Sequence, residues 1–214
     1  VAQIIAVLDD IGADAIKIGM IGEAAAAEAI ADVLAARAGA IPVVVDPVLI
    51  ATSGDALAGA GVAAVIRKRL LPLAAVATPN SDELAALSGL SVSNETETRA
   101  AAAALFGAFA PRALLAKGGH LPGADVVDLL FEAGREGPVA AFRNPRIATK
   151  AGHGTGCTLA SAVATGLAQG MALDAAVGRA IRFVREALRT APGYGAGAGP
   201  LNHAFGAQED LKRR

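Results

Sequence analysis

The chain has 214 residues, enough for one large domain with a sizeable core, and 54% of them are apolar but only 3% aromatic. Nineteen Lys and Arg are spread among twenty Asp and Glu, so no basic footprint for nucleic acid stands out, and few aromatics remain to stack on single strands. One Cys excludes an internal disulfide and fits a reducing, cytoplasmic compartment, and no apolar run has the length needed to cross a bilayer.

Val1, Ile4, Ile5 and Leu8 mark one helical face, so the first residue already lies inside an element and the sequence reads as one whose beginning is absent. Residues 14–18 read as a strand, followed by a helix with Ala27, Ile30, Ala31 and Leu34 on one face. Residues 41–45 are β-branched apart from Pro42, as expected of a strand buried on both faces. Val62, Val65 and Ile66 pattern the next helix, with Arg67, Lys68 and Arg69 before Pro72 as its stop signal. Residues 74–78 form the next predicted strand, followed by helices over 81–87 and 95–109, and by a strand over 113–116. The pattern then changes. Residues 126–131 and 139–142, joined by a Gly-bearing turn, predict an antiparallel hairpin. Helices over 158–167 and 174–190 follow, and 192–200, with four glycines, reads as a loop. The whole predicts a single layered α/β domain.

In an open parallel sheet, ligands gather beyond the carboxyl ends of the strands. Those ends carry Gly19-Met20, Asp46-Pro47-Val48, Thr78-Pro79-Asn80 and Lys117-Gly118-Gly119-His120. To them is added His153-Gly154-Thr155-Gly156-Cys157, at the mouth of an Ala-rich helix. Bare amides and glycines at a helix start favour a phosphate, and the same field favours a thiolate, the form in which Cys157 accepts a proton. A Gly-rich turn before a small buried residue explains that stretch as well. Asp46 at a strand end suits a magnesium ion, or an Asp-Pro turn. Asn80 and Glu83 have capping-box spacing, which accounts for both unless a metal is shared with Asp46. Lys117 can reach a nucleotide phosphate as a point charge, or stand solvated before a turn. Met20 reads as core or as the wall of a ring pocket.

Taken together, these residues resemble the ribokinase-like superfamily, and within it the hydroxymethylpyrimidine/phosphomethylpyrimidine kinases of thiamine biosynthesis. The resemblance runs through Lys17-Ile18-Gly19-Met20, Asp46-Pro47-Val48, Ser53-Gly54, Thr78-Pro79-Asn80 with Glu83, Lys117-Gly118-Gly119-His120, Pro145-Arg146-Ile147, His153 to Cys157, and residues 193–203. It implies a three-layer α/β/α fold with a mainly parallel sheet and an antiparallel hairpin at one edge. It also implies ATP and Mg²⁺ as cofactors, small-molecule substrates, and a homodimer. Gly154, Thr155 and Gly156 would form an anion hole and Cys157 the base. Lys117, Asn80, Thr155 and Gly156 would serve the nucleotide, Asp46 and Glu83 the magnesium, and Met20, Val48 and Cys157 the pyrimidine. Pyridoxal kinases, which typically carry Asp where Cys157 stands, share this machinery and are the rival reading. A non-catalytic nucleotide- or precursor-binding protein is another. The family begins earlier, with a strand and a Gly-rich substrate loop that this sequence does not contain.

Overall fold

A computed structural model describes residues 1–49, 59–109 and 111–206. Helix α1 (Ala2–Asp10) leads into β1 (Ile16–Ile18), α2 (Ala24–Arg37) and β2 (Val43–Val45). Next come α3 (Val62–Val65), β3 (Val76–Ala77), α4 (Ser81–Ser88), α5 (Glu95–Phe109) and β4 (Ala113–Ala116). The hairpin β5 (Asp125–Glu132) and β6 (Pro138–Pro145) precedes α6 (Thr155–Ala168) and α7 (Leu173–Arg189). The six strands form one sheet in chain order: β1 to β4 are parallel, and β5 and β6 are antiparallel at the far edge.

That order explains the layers. Right-handed crossovers between successive parallel strands stepping one way all fall on the same face. Residues of α2, α3, α4 and α5 accordingly pack on Ile18, Val43, Val45, Ala77, Leu114 and Ala116. The opposite face, made by Val44, Val76, Ala113, Leu115 and Leu130, is left for α6 and α7. Burial of both faces accounts for the continuous Val43-Val44-Val45 run, each side chain contributing roughly 1.5–3 kcal/mol. Helices α6 and α7 approach closely because Gly166 leaves room: a Cβ there would stand 2.6 Å from that of Ala176.

Three expectations shift. The helix of Val62 does not stop before Pro72. It widens into a π-turn over Ile66–Leu70 and tightens into a 3₁₀ turn over Leu71–Leu73, where proline fits because an early turn position needs no N–H. Helix α6 begins at Thr155, three residues sooner than the Ala-rich run suggested. Gly154 takes a left-handed φ of 83° as its N-cap, and Thr155 Oγ1 donates to the Gly152 carbonyl. The apolar face of α1 is only half-buried at Ile4, Ile5 and Leu8, and no residue of that helix is fully buried.

Candidate active site

Strand alternation puts the polar strand ends on one side. Val45, Ala77 and Ala116 face the α2–α5 layer, so Asp46, Thr78 and Lys117, one residue further on, fall on the side of α6. There Asp46, 1% exposed, accepts at Oδ1 from Thr78 Oγ1 and Lys117 Nζ, both at 2.9 Å. The same ammonium stands 3.8 Å from Glu83 Oε2. Its bridging position holds two buried carboxylates of like charge together. Asp46 Oδ2 is buried without a hydrogen bond among the described residues, with Lys17 Nζ 4.0 Å away. Burial raises the Glu83 carboxyl above its ordinary pKa, against the pull of Lys117 and of the Asn80 amide.

Glu83 and Asn80 are also a complete capping box. Asn80 Oδ1 accepts from the Glu83 amide at 2.8 Å, and Glu83 Oε2 accepts from the Asn80 amide at 2.7 Å. The capping reading of this pair is therefore met, and the carboxylate that caps α4 also faces Lys117.

Helix α6 presents a different end to the same rim. No side chain caps it, and its first amides come from Thr155, Gly156 and Cys157. A Cβ on Gly156 would lie 3.0 Å from Lys117 Nζ and 3.9 Å from Asp46 Oδ2, so the helix mouth abuts the charged strand ends. Cys157 is exposed, which removes the reading of a small buried residue. His153 is exposed and bridges by its backbone to Pro200, tying the loop to the C-terminal segment.

Met20 is 57% exposed, so it is a rim residue and not part of the core. Val48, two residues after Asp46, is half-buried. Ser53-Gly54 lies outside the described residues. A cavity of about 570 Å³ runs from Cys157 down the groove between α6 and α7, past Thr158, Phe183 and His203, and contains none of Asp46, Glu83, Lys117, Met20 or Val48. A smaller one of about 230 Å³ joins Thr149 and Lys150 to Tyr194 in the Gly-rich loop.

Sequence reasoning gave no role to three residues that hold the Lys117 turn. Asp128, 7% exposed on β5, accepts the Gly118 amide at 2.9 Å. Arg146 donates to the carbonyls of Gly119, Leu121 and Gly123 at 2.7, 2.5 and 2.9 Å. Asp82 meets His120 at 2.9 Å. Gly118 itself is required by a close approach: a Cβ would stand 2.2 Å from the Val127 carbonyl oxygen. Only the alternation of β5, which puts Asp128 on the same face as Leu130, pointed to any of this.

The chain matches a family described as phosphomethylpyrimidine kinase over residues 1–202. It is 47% identical over 208 residues to the hydroxymethylpyrimidine/phosphomethylpyrimidine kinase of Streptomyces coelicolor, a match covering 97% of this chain and 75% of that one. Pyridoxal kinase of Bacillus subtilis, solved as an ADP complex, superposes with a TM-score of 0.84 at 29% identity over 95% of this chain and 75% of that one. Phosphomethylpyrimidine kinase of Clostridium difficile superposes at 0.73 with 31% identity, over 87% and 74%. Among the described residues, no helix is long and apolar enough to cross a membrane.

Proposed function

The chain belongs to the phosphomethylpyrimidine kinase family, phosphotransferases with a ribokinase-like fold, and from that premise we propose how its residues divide the work. The reaction is transfer of the γ-phosphoryl of ATP to the hydroxymethyl group of 4-amino-5-hydroxymethyl-2-methylpyrimidine, then to the resulting monophosphate. One observation carries this reading: the uncapped start of α6, with the exposed Cys157 thiol at its third position, abuts Asp46 and Lys117.

In the first transfer Cys157 takes the hydroxyl proton while the substrate oxygen forms its bond to the γ-phosphorus. The bond from that phosphorus to the β-phosphate oxygen breaks, and ADP leaves with the electron pair. The amides of Thr155, Gly156 and Cys157, with Gly154 shaping the turn, offset the charge on the equatorial oxygens. Lys117, with Asn80 beside it, holds the nucleotide phosphates. Met20, Val48 and Cys157 wall the pyrimidine.

The donor set fits magnesium of a particular kind. Among the described residues, no three His, Cys, Asp or Glu stand close enough to hold a metal alone. Magnesium usually takes only one or two carboxylates and completes its shell with phosphates and water. The buried Oδ2 of Asp46, without a hydrogen bond among the described residues, offers one such ligand, and Glu83 lies across Lys117 from Asp46. When bound, the ion supplies charge neutralisation on the phosphates. The domain works as a single unit and as a homodimer in a reducing cytoplasm, a proposal that sedimentation and fractionation check.

The superposition on a pyridoxal kinase keeps one rival in play. Purified full chain with Mg²⁺-ATP is assayed on the hydroxymethylpyrimidine, its monophosphate and pyridoxal. We expect ADP release and pyrimidine diphosphate by mass spectrometry, with the higher kcat/KM on the pyrimidines. A higher kcat/KM on pyridoxal would move the assignment, and binding of ATP without any product would make the chain a non-catalytic binder.

A further inference from the structure

The charged row at the strand ends has a member that the mechanism above leaves idle. Lys17 pairs with Val44 in register and so faces α6, two residues deeper than Asp46. Its stem runs forward to Gly19, beyond the end of β1, where a Cβ would lie only 2.6 Å from the Lys17 ammonium. This path ends 4.0 Å from Asp46 Oδ2, with 20% of the side chain exposed. Lys117, by contrast, is 2.9 Å from Asp46 Oδ1 and close to Glu83. Among the described residues, the three donors of Lys17 have one loose ion pair and no hydrogen bond. A largely buried ammonium in that condition is unfavourable until an anion meets it.

The two lysines flank Asp46 on opposite sides. Lys117 follows β4 on the side assigned to the nucleotide phosphates, whereas Lys17 lies on β1, three residues before Met20 of the proposed pyrimidine wall. We propose that Lys17 receives the phosphate of the monophosphate acceptor during the second transfer, an inference that rests on the two-step reading above. The first acceptor is a neutral alcohol and brings no anion. The second brings its own phosphate, whose charge repels the incoming phosphoryl group unless a cation stands beside it. In that step an already deprotonated oxygen of the acceptor phosphate forms the new P–O bond, and the bond to ADP breaks with the electron pair leaving on ADP. Proton removal is not needed there, so the cation replaces the base as the acceptor-side requirement.

The test measures kcat/KM for the alcohol and for the monophosphate separately, at saturating Mg²⁺-ATP, in full-length wild type, Lys17→Met and Lys17→Arg. Lys17→Met lowers the monophosphate value about ten- to a hundredfold, mainly through KM, and the alcohol value by less than about threefold. Lys17→Arg keeps the charge and recovers most of the loss. Lys17→Gln, read in the same ratio, replaces Lys17→Met should the latter lack a cooperative melt. Equal losses on both acceptors overturn the inference, because Lys17 would then only support Asp46; an unchanged monophosphate value overturns it too. A wild type that phosphorylates neither pyrimidine overturns the two-step reading beneath it.

Discussion

Two helices, α4 and α6, begin at the same rim of the sheet and treat their first amides in opposite ways. Asn80 and Glu83 close the start of α4 with reciprocal hydrogen bonds, so the amides of both residues are already satisfied. Helix α6 starts on a left-handed glycine with no side-chain cap and leaves its donors for something else. A closed end contributes to stability, whereas the open end facing Lys117 and Asp46 is the one proposed to bind anions. Substitutions at the two ends should therefore divide into losses of turnover and losses of stability.

The largest effect belongs to the open end. Cys157→Ala should lower kcat by about 10²–10⁴, the usual worth of a positioned base. Because Cys157 is exposed, the free energy of urea unfolding should stay within about 0.5 kcal/mol of wild type, and ATP should still bind. Near-normal kcat would remove the base role and leave α6 as an anion site alone. At the closed end the balance reverses. Asn80→Ala should cost about 1 kcal/mol in urea unfolding, since it deletes the acceptor for the Glu83 amide. A loss of only a few tenths would mean that Glu83 closes α4 without help.

How far this contrast was legible in the sequence depends on how local its causes are. The Asn80–Glu83 spacing announces a cap because both partners lie within one turn. The strand ends were legible because period-two alternation carries Asp46, Thr78 and Lys117 to one face. Lys17 obeys the same rule yet drew no role, since its ammonium works two residues beyond its own position. The true start of α6 was obscured by Gly154 and Gly156, poor helix formers whose value lies in geometry and close approach. Asp128 and Arg146 were not legible as partners of the Lys117 turn, because no short spacing links them to it. The widening of the helix after Val65 into a π-turn was hidden by strong stop signals in Arg67, Lys68, Arg69 and Pro72.

The smallest effect concerns the turn between the two helix ends, where Asp128 fixes the amide that follows Lys117. Burial raises the Asp128 carboxyl above its ordinary 3.8, while the Gly118 amide, Lys117 and Arg185 pull the other way. The sign follows from proton counting. As pH rises past 3.8, the unfolded chain releases this proton while the folded chain still holds it, so the contribution of Asp128 falls with pH until its raised pKa is passed. Asp128→Asn keeps an oxygen for the Gly118 amide and removes the titration. Its urea stability should match wild type near pH 3.8, exceed it increasingly as pH rises through that window, and run parallel above it. The opposite slope would mean that Lys117, Arg185 and the Gly118 amide outweigh burial. The Lys117 turn would then be held by charge, and not by the kind of neutral hydrogen bond with which Asn80 closes α4.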